Sequence, residues 1–543
     1  MIQSSKTNNK IQKNDLIAKA FEDVPEAGSK LVRWYDIPYR IAEWPLRGWR
    51  KKVFPRAFQD FSLTLVNILF QFNVYDREKA RDKKDRHYNL HVPKGEHIRV
   101  PSLFVVELYT ANEVRDLEKS IRKNGWDKNR HAQHKKDTNL DRLSKARAEQ
   151  GLSWWRLADI KERNGKWFIP DAKIGRLPSG FDVVSLRAVQ IGSGLTALVA
   201  RFGLKDEYKD YVDRVWHREH EPKIKFISGK LRVLNRLASA YENTQQSREQ
   251  LHDQARNWIS EFCPGYFSNH DEQHVTLDIL LTDKFDPTNR SKKFPERNVQ
   301  NAFRAVGINA YETRRITSAQ LPGLLLQQAD WLAEPNINTR RTWGLIGKKA
   351  KIARLTSNFK YYSDADSGVS QMTEDDIGYT LILLAAKELL SSIEMQFSTL
   401  RDQAQDNHSK FKVRGLNKLR SIIMDSSFTL VSIKQDIENY LAKESWHERA
   451  NFVVTVAPPY KSRLSDVYPE SENFHQLLIK DMKRKYSNLS NLDKDIRDIL
   501  STVADLGSSA NNIILGRWAF VVATLSLLAA IAALASIHLP KSL

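Results

Sequence analysis

Trp518 to Ile537 reads WAFVVATLSLLAAIAALASI, twenty residues without a charged side chain. At a rise of about 1.5 Å per residue, such a helix covers roughly the 30 Å hydrocarbon core of a bilayer. Trp518 is placed to mark one interface, and His538, Pro540 and Lys541 end the run at the other. The reading is a transmembrane helix over 517–538 followed by a short tail, 539–543. It makes the chain a single-pass, C-terminally anchored membrane protein whose partner, through Trp518 to Ile537, is the lipid bilayer. The N-terminus, MIQSSKTNNKIQKNDLIAKAF, carries no apolar core of signal-peptide length. The bulk of the chain is therefore expected in the cytoplasm, at the inner membrane if the source is bacterial. A second apolar stretch, Phe61 to Val74, is interrupted by Asn67, Gln71 and Asn73 and reads as a core element.

Upstream of this run the spacing is helical. Leu489, Leu492, Ile496, Ile499, Val503, Leu506, Ala510 and Ile513 alternate at three and four, which predicts a stalk helix over 471–516, weakened at Gly507 and Gly516. Leu416, Leu419, Ile423, Ser426, Leu430, Ile433, Ile437 and Tyr440 form a second seam of coiled-coil type. Thr373 and Asp376 resemble a capping box for a third helix, Ile377 to Leu400. Seams this narrow need a partner: the helices pack on one another, or copies of the chain associate as a homo-oligomer. Small residues four apart, such as Ala519 and Ala523, favour close helix approach and hence the second arrangement.

The front of the chain reads differently. Residues 1–30 are a polar tail. Val100 to Tyr109, Lys166 to Ile169, His274 to Thr282 and Phe452 to Ala457 are strand-like, and Val184 to Ile191 with Leu195 to Leu204 flank Gly192-Ser193-Gly194 as a hairpin. Leu231 to Phe262 is helical, with an apolar face diluted by Thr244 and Arg248, and should be half exposed. The fold class is α+β: a basic mixed α/β region over 31–310, a mainly helical region over 311–470, then stalk and anchor.

Across 543 residues, 85 Lys and Arg oppose 65 Asp and Glu, a net +20 with a pI near 9.6, so anionic partners are expected. The single cysteine, Cys263, excludes an intrachain disulfide framework and cysteine-rich zinc modules, and it fits a reducing compartment. The segment from Arg33 to Lys52 interleaves aromatic and basic residues. Arg33, Trp34, Arg40, Trp44, Arg47, Trp49, Arg50, Lys51 and Lys52 are the candidates for binding an anionic surface, either anionic lipid or nucleic acid. The competing reading packs the tryptophans into a core and leaves the arginines outside. Pro38, Pro45 and Pro55 argue against one continuous helix there.

No catalytic motif is complete. His87 and His91, His131 and His134, His217 and His220, and His270 and His274 are spaced to share a helix face, but none carries the glutamate of an HExxH site. The expectation is no metal and no cofactor. Cys263 reads as a buried structural residue rather than a nucleophile. Ser193 lacks the spacing of a nucleophile elbow. Asp364, Asp366 and Gly368 resemble the start of a calcium loop, but Asp375 stands where the bidentate glutamate belongs, so a surface turn is expected. Gly344-Leu345-Ile346-Gly347, followed by Lys348, Lys349, Lys351 and Arg354, resembles a G-x-x-G loop, with an ordinary helix–helix turn as the alternative.

The layout of an α/β part, long helices and a stalk entering a C-terminal membrane helix is similar to that of CorA-type cation channels. The second membrane helix and the Gly-Met-Asn loop of that family are absent, so the resemblance implies no pore, ion or residue role here. The expected function is a membrane-anchored domain that binds a protein partner or senses a signal and self-associates through its helices. A membrane-tethered nucleic-acid binder using the basic N-terminal third, and an enzyme with a site assembled from distant residues, are the alternatives.

Overall fold

A computed structural model describes residues 34–70, 92–127, 137–149, 153–163, 172–218, 220–227, 229–289, 297–309, 312–329, 341–356, 365–409, 430–438, 451–464, 466–495, 497–498 and 521–526. The first elements are α1 (Asp36–Glu43), a 3-10 turn over Trp44–Leu46, α2 (Arg50–Val53) and α3 (Arg56–Phe70). The prolines set these breaks. Pro38 sits in the first turn of α1, where a missing N–H costs no helical bond, Pro45 falls in the 3-10 turn, and Pro55 precedes α3.

One large mixed sheet follows. Its strands are β1 (Ile98–Arg99), β2 (Ser102–Tyr109), β3 (Ser153–Lys161), β4 (Lys173–Ile174), β5 (Phe181–Gln190) and β6 (Thr196–Leu204). After a separate hairpin of β7 (Lys223–Ile227) and β8 (Lys230–Leu234), it continues with β9 (Val275–Thr282), β10 (Arg314–Ser318), β11 (Leu324–Gln328) and β12 (Thr342–Lys348). The last two are β13 (Phe452–Val456) and β14 (Ser471–Asn473). The order is β14-β13-β10-β11-β12-β9-β2-β6-β5-β3-β4, with β1 paired to β9. Among the described strands only β9 with β12 and β3 with β4 run parallel.

The central strands are buried on both faces, so their sequences read as near-continuous apolar runs. One face carries the main core: Leu103, Val105 and Tyr109 of β2, Leu186 and Ala188 of β5, and Ala200 and Phe202 of β6. It is covered by α4 (Val114–Lys123), α5 (Asn139–Ala148), α6 (Tyr211–Trp216), α7 (Arg236–Phe262) and the short α8 (Tyr266–Asn269) with α9 (Arg297–Ala305). The N-terminal part of α10 (Ala365–Ser409) meets the opposite face.

The described residues form two compact units, 1–388 with 435–480, and 389–434 with 481–543. In the second, Leu389, Leu390, Ile393, Phe397, Leu430, Ile433, Met482 and Leu489 are buried, and Lys485 pairs with Glu394 at 3.1 Å. Parts of the predicted seams are therefore covered within the chain. The remainder of both seams, 410–429 with Tyr440 and most of 496–520, lies outside the described residues.

Several expectations change. Val184–Ile191 and Leu195–Leu204 do pair as the antiparallel hairpin β5–β6, and Val100–Tyr109, His274–Thr282 and Phe452–Ala457 hold β2, β9 and β13. Thr373, read as a helix cap, lies two turns inside α10 and bonds back to the Val369 carbonyl. Asp366 is no surface turn: it is buried in the first turn of α10 with Arg99 and Lys209. Gly344 and Gly347 lie within strand β12, not in a loop. Phe61 and Leu63 of α3 are exposed, so Phe61–Val74 is not simply a core element. Lys166–Ile169 lies outside the described residues.

The single-pass, tail-anchored reading is corrected. Among the described residues no helix is long and apolar enough to cross a membrane. Of Trp518 to Ile537 only 521–526, which is helical, is described, and the rest lies outside the described residues. The membrane-anchored function, and the localisation inferred from the anchor, fall with it.

Candidate functional site

Three groupings of polar or exposed side chains stand out, on α1–α3, beside β1, and under α7. In the first, Tyr35, Tyr39 and Leu69 are buried together, with Leu65, Val66, Phe70 and Val233 packed against them. Tyr35, Tyr39 and Ala42 thus form the inner stripe of α1. A second stripe, Trp34, Ile37, Ile41 and Trp44, recurs at three, four and three and faces solvent. Trp44 is 51 % exposed, Trp49 71 % and Phe61 66 %, and Val53 and Phe58 are exposed beside them.

The basic residues surround this apolar surface. The Arg50 guanidinium lies 4.4 Å over the Trp44 ring and 5.9 Å from that of Trp49, a contact in which the aromatic quadrupole attracts the cation. Trp44 meets Phe54 edge-on at 5.9 Å, and Phe54 stacks on Phe58 at 5.2 Å. Arg40, Lys51, Lys52 and Arg56 are exposed, and Arg47 is held by Glu43 at 2.6 Å. Of the nine residues singled out from sequence, Arg33 lies outside the described residues. The other eight fall on this one helical segment, with the tryptophans outward and two tyrosines taking the core.

The second grouping joins residues far apart in sequence. His97 precedes β1, Asp213 lies in α6, and His217 follows that helix. His97 Nδ1 is 3.0 Å from Asp213 Oδ2, and His217 Nδ1 is 3.3 Å from Asp213 Oδ1 and 2.9 Å from the Asp213 carbonyl oxygen. The Ile98 backbone N–H donates to Asp213 Oδ1 at 2.8 Å and anchors the carboxylate. The two imidazoles stack with centroids 5.0 Å apart, and the His217 ring also bonds the Glu96 backbone. Burial opposes charge on Asp213, but hydrogen bonds from His217, His97 and Ile98 hold its carboxyl below the usual range. The hydrogen bond to Asp213 raises the His217 pKa.

His217 therefore does not pair with His220 as its spacing suggested. His220 is buried and bonds Asn243 at 3.0 Å. His270 stacks on Tyr266, whereas His274 reaches Glu107 at 2.9 Å. His87, His91, His131 and His134 lie outside the described residues. No local signal could have linked His97 to Asp213 and His217, because helix-face spacing finds only neighbours in sequence.

The third grouping is buried. Arg248 of α7 donates from Nε and Nη2 to the two Asp278 oxygens of β9 at 2.9 and 2.7 Å. His252 Nε2 approaches Asp278 at 3.2 Å, while Arg256 pairs with Glu249 and reaches Thr276 Oγ1 at 3.2 Å. Near it, Ser268, His274 and Glu107 come within hydrogen-bond reach. They do not form a nucleophilic triad, because His274 Nε2 faces both Ser268 Oγ (3.2 Å) and Glu107 (2.9 Å), whereas a relay needs both ring nitrogens. Glu107 instead accepts from the backbone N–H groups of Phe267, Ser268 and Leu108. Burial would raise its pKa, but His274, Ser268 and those donors hold it down. Cys263 is fully buried and its thiol is pushed well above the ordinary value, as expected of a structural cysteine. Ser193 belongs to the β5–β6 turn, where the Asp436 carboxylate accepts from the Ser193 and Gly194 N–H groups.

Comparison with protein-family models, with curated proteins and with solved structures finds no match.

Proposed function

We propose that the chain binds an anionic lipid surface from one side through the outward face of α1–α3. The observation that carries this reading is the second apolar stripe of α1, Trp34, Ile37, Ile41 and Trp44, exposed beside Trp49, Arg50, Lys51 and Lys52. Exposed apolar side chains grouped in this way need an apolar environment to leave water. Cations at the rim match a negatively charged headgroup layer. A nucleic acid would use the tryptophans for stacking and the cations for phosphates, but it offers no environment for Ile37, Ile41, Val53 and Leu63. Such docking rests on interfacial insertion of side chains and needs no spanning helix.

Each Lys or Arg near an anionic surface contributes about 1 kcal/mol. Replacing Arg50, Lys51 and Lys52 by Gln should therefore weaken the affinity roughly 100-fold. The test is co-flotation of the full chain with phosphatidylglycerol-containing vesicles and with neutral phosphatidylcholine vesicles, for wild type, the triple Gln variant and Trp44→Ala/Trp49→Ala. Selective flotation with the anionic vesicles, lost in both variants, supports the reading. Equal behaviour of all three proteins, or salt-sensitive retention by a single-stranded oligonucleotide with no vesicle binding, overturns it.

A further inference from the structure

We infer that His97, Asp213 and His217 form a binding site for a divalent first-row transition metal of the zinc class. Their donor atoms lie within 4.8 Å of one another. The separations of 3.0 Å from His97 Nδ1 and 3.3 Å from His217 Nδ1 to the Asp213 carboxylate are the relevant ones. Ligands held about 2.0–2.2 Å from a tetrahedral ion stand roughly 3.3 Å from each other. Each imidazole nitrogen thus already stands at about ligand spacing from the Asp213 carboxylate, His97 beside Oδ2 and His217 beside Oδ1.

The donor set matches the ion. Two imidazoles and one carboxylate suit zinc and its neighbours and are poorly matched to magnesium or calcium, which take oxygen ligands. The surrounding contacts are of the kind that orient ligands: the Ile98 N–H fixes one carboxylate oxygen, and the Glu96 backbone engages the His217 ring. Binding would exchange the proton that His217 Nδ1 shares with the Asp213 oxygens for the ion. His97 and His217 are 56 % and 34 % exposed at the side chain. An ion can enter from solvent, and water can complete its coordination. A plain histidine–aspartate ion pair accounts for one imidazole facing the carboxylate. Convergence of a second, stacked imidazole from a different segment is what the metal reading explains.

The experiment is a Zn²⁺ titration of the full chain by calorimetry, repeated with His97→Gln and His217→Gln. Both residues are partly exposed, so both variants should fold, which circular dichroism confirms. A Co²⁺ titration read by visible absorption reports the geometry. One high-affinity equivalent is expected, weakened about 100-fold or more in each variant, since even outer partners of a ligand contribute 10–100-fold. The tetrahedral Co²⁺ spectrum should be lost in parallel. Absence of binding overturns the inference. So does a Zn²⁺ equivalent that persists in both variants, which would place the ion elsewhere on the chain.

Discussion

Asp278→Asn tests how the large sheet is joined to its longest cover helix. Asp278 lies in β9, between β2 and β12, and both it and Arg248 are 2 % exposed at the side chain. The replacement keeps the volume, so the cost is electrostatic and not that of a cavity. It removes the anion that receives Arg248 Nε and Nη2 and faces His252 Nε2. Breaking a buried pair in this way costs about 3–5 kcal/mol, because the remaining charge stays desolvated. The unit that contains the pair has about 320 described residues. At about 2.1 cal/mol/K per residue their unfolding entropy is about 0.7 kcal/mol/K, so the melting temperature should fall by roughly 4–7 °C. Differential scanning calorimetry of the full chain reads the shift. Asp278→Leu combined with Arg248→Met, which removes both charges, should lower the melting temperature less than Asp278→Asn alone. A drop below about 1 °C for Asp278→Asn, or a double variant worse than the single one, would refute the view that this pair is an electrostatic unit.

Acid should loosen the same helix. Burial opposes charge on Glu249, but His252 and Arg256 lower its pKa from 4.5 to about 2. Its contribution is thus fully present above pH 4.5 and is lost as pH falls towards 2, for at most about 3 kcal/mol. His252 works the other way: its pKa is raised above 6.5, so its contribution is complete below pH 6.5 and declines as pH rises beyond that. Urea denaturation from pH 2.5 to 8 should show a maximum between these limits, and Glu249→Gln should flatten the acid side; an unchanged acid limb contradicts the assignment. At the β5–β6 turn, Gly192 has φ +154°, and a Cβ there would collide with the Asp436 carboxylate. Gly192→Ala should cost about 2 kcal/mol in urea denaturation. A change below about 0.5 kcal/mol would show that the turn moves aside freely.

Parts of the candidate sites were legible in the sequence. The aromatic and basic residues from Trp34 to Lys52 are local, and their interleaving is visible without a fold. Which aromatics face outward was not, because α1 carries two apolar stripes, one through Tyr35, Tyr39 and Ala42 and one through Trp34, Ile37, Ile41 and Trp44. Periodicity identifies both and ranks neither. The stripe that packs with Leu69 and Val233 becomes the core. Asp213 and His217 stand one helical turn apart, but nothing in the sequence links them to His97, which lies 116 residues before Asp213.

What the sequence determined by itself was local. Strands buried on both faces are recognisable as apolar runs, prolines break the N-terminal helices, and a glycine-rich connection between β-branched segments forms a hairpin. Helix α7 marks the limit of such reading. Thr244 and Arg248 suggested half-exposure, yet Thr244 is fully buried and Arg248 is 2 % exposed. A polar side chain is excluded from the interior only while it lacks a partner. The Ala305 carbonyl receives Thr244, and Asp278 receives Arg248. Those partners arrive from a helix end and a strand that the chain reaches only after α7, and hydrophobic patterning has no means of anticipating them.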